Sequence, residues 1–213
     1  MTNPVETPNA VHGCIIMASG LGTRFGSNKL MANLDNAPLI AHTISACDGL
    51  FAKRVAVTRH KDVAKLCRTL GVEAIMHDEP LRSDTVRLGM QAMGGCDTVT
   101  FIQADQPLIS ANTLAALLRN AEAHPEFIWR VGFQGTQGAP VLFPAWAFDE
   151  LHALPPGKGG GFVAKAHAQR VRSVEAASEW ELFDVDTVQD LEVLQAHIEQ
   201  RRKASASSHN RIG

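Results

Sequence analysis

The stretch from Cys14 to Leu30 holds the residues best suited to do chemistry. An apolar run, Cys14-Ile15-Ile16-Met17-Ala18, leads into Ser19-Gly20-Leu21-Gly22-Thr23-Arg24-Phe25-Gly26-Ser27-Asn28-Lys29-Leu30. Glycine lets backbone N–H groups approach an anion, because no Cβ stands in the way. Arg24 can fork onto two phosphate oxygens, and Lys29 adds a mobile ammonium. The guest such a loop suits is phosphate, above all that of a nucleoside triphosphate. The spacing is not that of a dinucleotide-binding turn. Its third glycine comes one place late, and Thr58-Arg59-His60 stands where an acidic residue should end the second strand. A Walker loop is excluded too, since Lys29 does not directly follow the last glycine.

A second candidate is Ala104-Asp105-Gln106-Pro107. Asp105 ends an apolar strand at a proline-containing turn, a place suited to a hard oxygen ligand for Mg2+. That ion takes one or two protein carboxylates and leaves its other positions to phosphate and water. The nine histidines show no H-x-x-x-H spacing, and the four cysteines are far apart with no C-x-x-C pair. That speaks against zinc and against a disulfide framework, and for a reducing, cytoplasmic setting.

The elements that must position these residues alternate. Strands are predicted at Val11–Met17, Arg54–Thr58, Ala74–Met76 and Thr98–Ile102, with helices at Pro38–Cys47, Val63–Leu70, Ser83–Met93 and Leu114–Ala123. Ser83 or Asp84 caps the third helix and Ser110 the fourth. Further on, Phe127–Phe133, Pro140–Phe143 and Val171–Val174 read as strands and Ala145–Leu154 as a helix. Gly157–Gly161 reads as a flexible loop, and Asp186 or Thr187 opens a last helix to about Arg202. Alternation of this kind implies a largely parallel sheet with helices on both faces, whose ligands bind at the carboxyl ends of the strands. Both candidate loops fall at such ends. With a net charge of −2, no basic field argues for nucleic acid. No apolar run approaches the ~20 residues that span a bilayer, and the first ten residues lack the pattern of a signal peptide. Residues 11–202 are expected to form one domain, with 1–10 and 203–213 as flexible tails.

Four blocks together resemble the nucleotidyltransferase family that includes the molybdenum cofactor cytidylyl- and guanylyltransferases. Ala18 to Lys29 is similar to its A-[AG]-G-x-[GS]-x-R-x-G-x-x-K signature, with Ser19 in place of alanine or glycine. Ala104–Pro107 resembles A-D-x-P, Gly138–Phe143 resembles G-x-P-V-L-F, and Asp184–Leu191 resembles D-[IV]-D-T-x-x-D-L. The resemblance implies a three-layer α/β fold with a mostly parallel, mixed sheet, Rossmann-like and of the nucleotide-diphospho-sugar transferase type. It implies Mg2+-dependent transfer of CMP, less readily GMP, to a phosphorylated acceptor of the molybdopterin type, with release of pyrophosphate. Arg24 and Lys29 are then catalytic. Ala18, Ser19, Gly20, Gly22, Ser83, Thr85 and Asp105 bind the nucleotide, and Asp105 and Asp186 hold the metal. Some readings stay open. Asp186 can equally cap the last helix, and Asp184 rivals it as a ligand. Asp190 is expected to stabilise the first turn of that helix. Ser83 and Thr85 can simply cap theirs, and Arg82 and Arg87 either meet phosphate or stay exposed. Lys158 lies where relatives carry G-D-K-G, but the aspartate is missing. Partners implied are the triphosphate, the pterin and a molybdenum hydroxylase apoprotein. Two alternatives to that reading are a non-catalytic carrier of the cofactor and a sugar-phosphate-type nucleotidyltransferase. An NAD(P)-dependent oxidoreductase is a third, disfavoured by the glycine spacing.

Overall fold

A computed structural model describes residues 10–20, 22 and 25–209, with side chains to residue 204. The elements in chain order are β1 (His12–Ala18), β2 (Asn33–Leu34), β3 (Ala37–Pro38), α1 (Leu39–Ala46), β4 (Lys53–Thr58), α2 (Lys61–Thr69), β5 (Glu73–Met76) and α3 (Arg82–Gln91). Then follow β6 (Thr98–Gln103), α4 (Ala111–Ala123), β7 (Ile128–Phe133), β8 (Thr136–Pro144), α5 (Phe148–His152), α6 (Gly160–Ala166), β9 (Val171–Glu175) and α7 (Val188–His209).

Seven strands form the main sheet in the order β5-β4-β1-β6-β8-β7-β9. All run the same way except β8, which is antiparallel to both neighbours. From β1 the chain moves outward through β4 to β5, then returns to place β6 on the other side of β1. That reversal makes a crevice between the carboxyl ends of β1 and β6, the ligand position in open α/β sheets. Both candidate loops leave the sheet there.

The sheet is covered on both faces, so its central strands are apolar throughout rather than alternating. In β1, Cys14, Ile16 and Ala18 join one core with Leu39 and Ile44 of α1, Val63 of α2 and Leu114 and Leu117 of α4. Ile15 joins the other with Val86 and Met90 of α3, Leu151 of α5 and Val163 of α6. Helix α3 sits close because Gly89 has no side chain: a Cβ there would lie 2.7 Å from Ile15 Cγ2. The β7–β8 hairpin turns on Gln134 and Gly135 with φ of 47° and 84°, the mirror-image turn that suits twisted strands.

Several boundaries differ from the sequence prediction. The helix expected over Ala145–Leu154 is a 3-10 turn, Ala145–Ala147, followed by the short α5. Gly157–Gly161 is not a flexible loop throughout, because Gly160 and Gly161 open α6. Gly157 N–H also donates to Ser83 Oγ at 3.1 Å. Helix α7 passes Arg202 and continues to His209, so residues 203–209 are helical where a flexible tail is predicted. Once a helix is nucleated, each added residue costs little, and Ala204 and Ala206 are strong formers. The expected tails at 1–9 and 210–213 lie outside the described residues. No helix among the described residues is long and apolar enough to cross a membrane.

Candidate functional site

The glycine loop begins where β1 ends. Its Gly22 has φ of 57°, and a Cβ there would come 3.1 Å from Ser27 O, so only glycine fits without strain. A turn from Gly22 O to Phe25 N leads to Asn28, whose side chain caps the 3-10 turn Lys29–Met31 by accepting from Leu30 N–H. Asn28 Nδ2 also donates to both carboxylate oxygens of Asp62 on α2, at 2.9 and 3.0 Å. Lys29 is thereby fixed at the base of the crevice. Its side chain is 9% exposed, and its ammonium lies 2.7 Å from Asp105 Oδ2 and 2.8 Å from Asp186 Oδ1.

The two aspartates come from distant parts of the chain. Asp105 follows β6, and Thr43 Oγ1 on α1 braces that turn through the carbonyls of Ala104 and Gln106. The segment carrying Asp186 is pinned to it by Val185 N–H donating to Asp105 O at 3.0 Å. Glu181, buried just upstream, accepts from Ser110 and Ala177 N–H, both at 3.0 Å. The capping question for α7 is resolved by its neighbours. Thr187 Oγ1 accepts from Asp190 N–H, while Asp190 accepts from Asp186 and Thr187 N–H. Asp186 turns its carboxylate to Lys29 instead. Asp190 thus stabilises the first turn as expected; burial, the largest single cause, raises its carboxyl, but the hydrogen bonds from Thr187 and Asp186, with the charge of Lys29, together outweigh it and hold the group below the usual range. Asp184 lines a 410 Å³ cavity with Asp105 and Asp186. Partial burial, then the charge of Asp105 and, less strongly, of Asp186, push its carboxyl up to about 6.

A cavity of 360 Å³ lies over the loop, walled by Ser19, Gly20, Gly22, Lys29, Thr85 and Asp105. A second, of 820 Å³, adjoins it and is walled by Phe101, Phe143 and Phe162 with Lys158 and Lys165 at its edge. Met17 and Gln103, paired across β1 and β6, line both. Arg82 lines all three cavities.

Of the predicted residues, Ser19, Gly20, Gly22, Lys29, Thr85 and Asp105 meet at the first cavity and Asp186 joins through Lys29. Ala18 is buried behind it, its carbonyl accepting from Thr58 Oγ1. Ser83 lies outside that wall and holds Gly157 instead. It does not cap α3: Leu81 is at the cap and Asp84 accepts from its N–H. Arg24 lies outside the described residues. Arg59 and Gln103 in the wall are missing from the prediction, because nothing local in the sequence marks them.

The donors fit a hard divalent ion. Asp105 and Asp186 offer only carboxylate oxygens, and a cation, the Lys29 ammonium, already has its place between them. Among the described residues no three His, Cys, Asp or Glu side chains converge as a preformed centre.

The chain is similar to known nucleotidyltransferases. The chain is 31% identical to bifunctional protein GlmU of Acidiphilium cryptum over 106 residues, 48% of this chain and 24% of that protein. It is 32% identical to 3-deoxy-manno-octulosonate cytidylyltransferase of Chlorobium chlorochromatii over 107 residues, 49% of this chain and 43% of the relative. The aligned part thus spans from a quarter to under half of those relatives. Among solved structures, a nucleotidyl transferase from Methanothermobacter thermautotroptrophicus superposes with a TM-score of 0.77 at 20% identity, covering 90% of this chain and 99% of that one. CMP:2-keto-3-deoxy-manno-octonic acid synthetase complexed with CTP gives 0.71 at 14% identity, covering 91% and 99%. These structures share the fold. Residues 14–172, well over half the chain, match the MobA-like NTP transferase domain, and the protein belongs to that family.

Proposed function

We propose that the protein is a nucleotidyltransferase that moves CMP from CTP to the phosphate of a molybdopterin-type acceptor, with Mg2+, releasing pyrophosphate. An acceptor phosphate oxygen attacks the α-phosphorus as the bond to the β-phosphate breaks. Such a reaction asks the protein mainly for alignment and for offset of negative charge. The observation that carries the reading is the Lys29 ammonium held between Asp105 and Asp186 at the mouth of the glycine loop. Gly20 and Gly22 N–H groups cradle the polyphosphate, Lys29 and Arg24 offset its charge, and Thr85 meets the nucleoside. Asp105 and Asp186 hold Mg2+, which when bound neutralises the triphosphate. CTP is favoured over GTP because Ala18-Ser19-Gly20 lies nearer the cytidylyl pattern, and two cytidylyltransferase types are among the relatives.

The acceptor's place is the 820 Å³ cavity, where aromatic walls suit a flat ring system and Lys158 and Lys165 suit its phosphate. A carrier that only binds the pterin has no use for two carboxylates set about a lysine. The test is pyrophosphate release by the purified protein with Mg2+, each nucleoside triphosphate in turn, and molybdopterin or a hexose phosphate. Turnover with CTP and the pterin alone is expected. Turnover with the hexose phosphate refutes the acceptor assignment, and none with any pair refutes the enzyme reading.

A further inference from the structure

Three consecutive residues carry β1 into the glycine loop, and each is held from the side. Ala18 O accepts from Thr58 Oγ1 at 2.9 Å. Ser19 Oγ lies 3.0 Å from Val57 O and 2.8 Å from His77 Nε2. Gly20 O lies 2.9 Å from His60 Nε2. Thr58 ties the set together, for its hydroxyl accepts from His60 N–H and its carbonyl from His77 N–H.

The proton positions follow from chemistry. Val57 O can only accept, so it takes the single hydroxyl proton of Ser19. Ser19 Oγ is then left as an acceptor, and His77 Nε2 must carry the hydrogen. His77 Nδ1 agrees, being buried with no partner, a costly place for a second N–H. Burial first, and then the charge of Arg59, also favour the neutral ring. One tautomer of His77 therefore locks the rotamer of Ser19, and with it the direction of the chain entering Gly20 and Gly22.

We propose that His77 is a positioning residue for the nucleotide loop, acting through Ser19 to preset the backbone that meets the polyphosphate. Ser19 and Gly20 line the first cavity whereas His77 does not, so the imidazole works from behind the wall. This rests on the reading of that cavity as the triphosphate site. The physical gain is pre-organisation, since a loop already in its binding conformation loses less entropy when the ligand arrives.

The test is a double-mutant cycle on Ser19 and His77, read by titration calorimetry with CTP and Mg2+ and by amide exchange without nucleotide. His77→Leu should weaken CTP by about five- to tenfold, the worth of one hydrogen bond. His77→Gln, which keeps an N–H donor at similar reach, should restore affinity to within about twofold. In a Ser19→Ala background His77→Leu should cost almost nothing more. Exchange at the Ser19 and Gly20 amides should quicken in His77→Leu while that at Ile102 in β6 stays the same. An unchanged CTP affinity with unchanged exchange overturns the proposal, as does a full His77→Leu penalty in the Ser19→Ala protein. If the wild-type protein binds no CTP, the nucleotide assignment fails and the exchange result still decides the role of His77. If His77→Leu does not fold, Ser19→Ala alone, which removes the same hydrogen bond, should quicken exchange at the Gly20 amide, and unchanged exchange there overturns the proposal.

Discussion

Lys29→Ala strikes the site at its centre. The ammonium holds two carboxylates at 2.7 and 2.8 Å from a side chain only 9% exposed. Burial alone would lower its pKa. The hydrogen bonds and charges of Asp105, then of Asp186, outweigh that and hold it above the usual 10.5. A folded-state pKa raised in this way gives a contribution that is full below 10.5 and fades only as pH rises through the raised value. At neutral pH the whole of it is at stake. Removing one partner of a fully buried pair costs about 3–5 kcal/mol. Here Asp105 is 23% and Asp186 49% exposed. Water therefore screens part of the loss, and about 2 kcal/mol is expected. For a chain of this size that lowers Tm by about 4–8 °C.

The same substitution empties the place between two carboxylates, which then suits a divalent ion better. Thermal melts of both proteins with and without MgCl2 should show a larger metal-induced rise in Lys29→Ala. A hundredfold excess of metal over its Kd adds about 2.7 kcal/mol, enough to offset the loss. Turnover should still fall by ~10²-fold or more, because the metal does not replace a donor aimed at developing charge. An unaltered Tm without metal, or equal metal responses in the two proteins, refutes the reasoning.

Three further outcomes are expected. Gly22→Ala forces a Cβ to 3.1 Å from Ser27 O at φ 57°, so it should cost about 1–2 kcal/mol in a denaturant melt and weaken CTP more than it weakens the acceptor. Glu181→Ala leaves the Ser110 and Ala177 N–H groups without their acceptor, and should lower stability by about 2–3 kcal/mol and turnover with it; normal kcat in a folded variant would show that Asp184 and Asp186 are held in place without it. His77 is held below its usual 6.5 by burial and then by Arg59, with Asp84, Glu79 and Asp78 opposing. Its contribution to stability is thus complete above 6.5 and declines as pH falls from there through the lowered value. Tm of the wild-type protein should drop more steeply over that acid range than Tm of His77→Gln, and parallel curves would count against it.

What the sequence discloses follows the range of the interactions involved. The strand of Cys14 to Ala18 is legible because both its faces are buried, which makes the run uniformly apolar. Lys29 and Asp105 are legible because each closes a short motif at a strand end. Asp186 needs the whole closing block, since an aspartate before a helix has an ordinary capping use that only Thr187 and Asp190 take from it. Helix α6 is hidden because glycine is a poor helix former. It forms where Gly160 allows contact with Phe143, whose ring lies 3.0 Å from where a Cβ would sit. The Ser19–His77 bond joins residues 58 apart, and Arg82 gains its place only when β1, β6 and α6 have assembled. Such pairings leave no local pattern to read.

The reversed direction of β8 has a consequence of its own. Because it runs against β6, it starts, rather than stops, at the crevice, and Thr136, Gln137 and Gly138 form the rim of the 410 Å³ hollow beside Asp105. The far half of the sheet thus offers that rim on a hairpin, whose length and tip can change without disturbing a single hydrogen bond between β1 and β4.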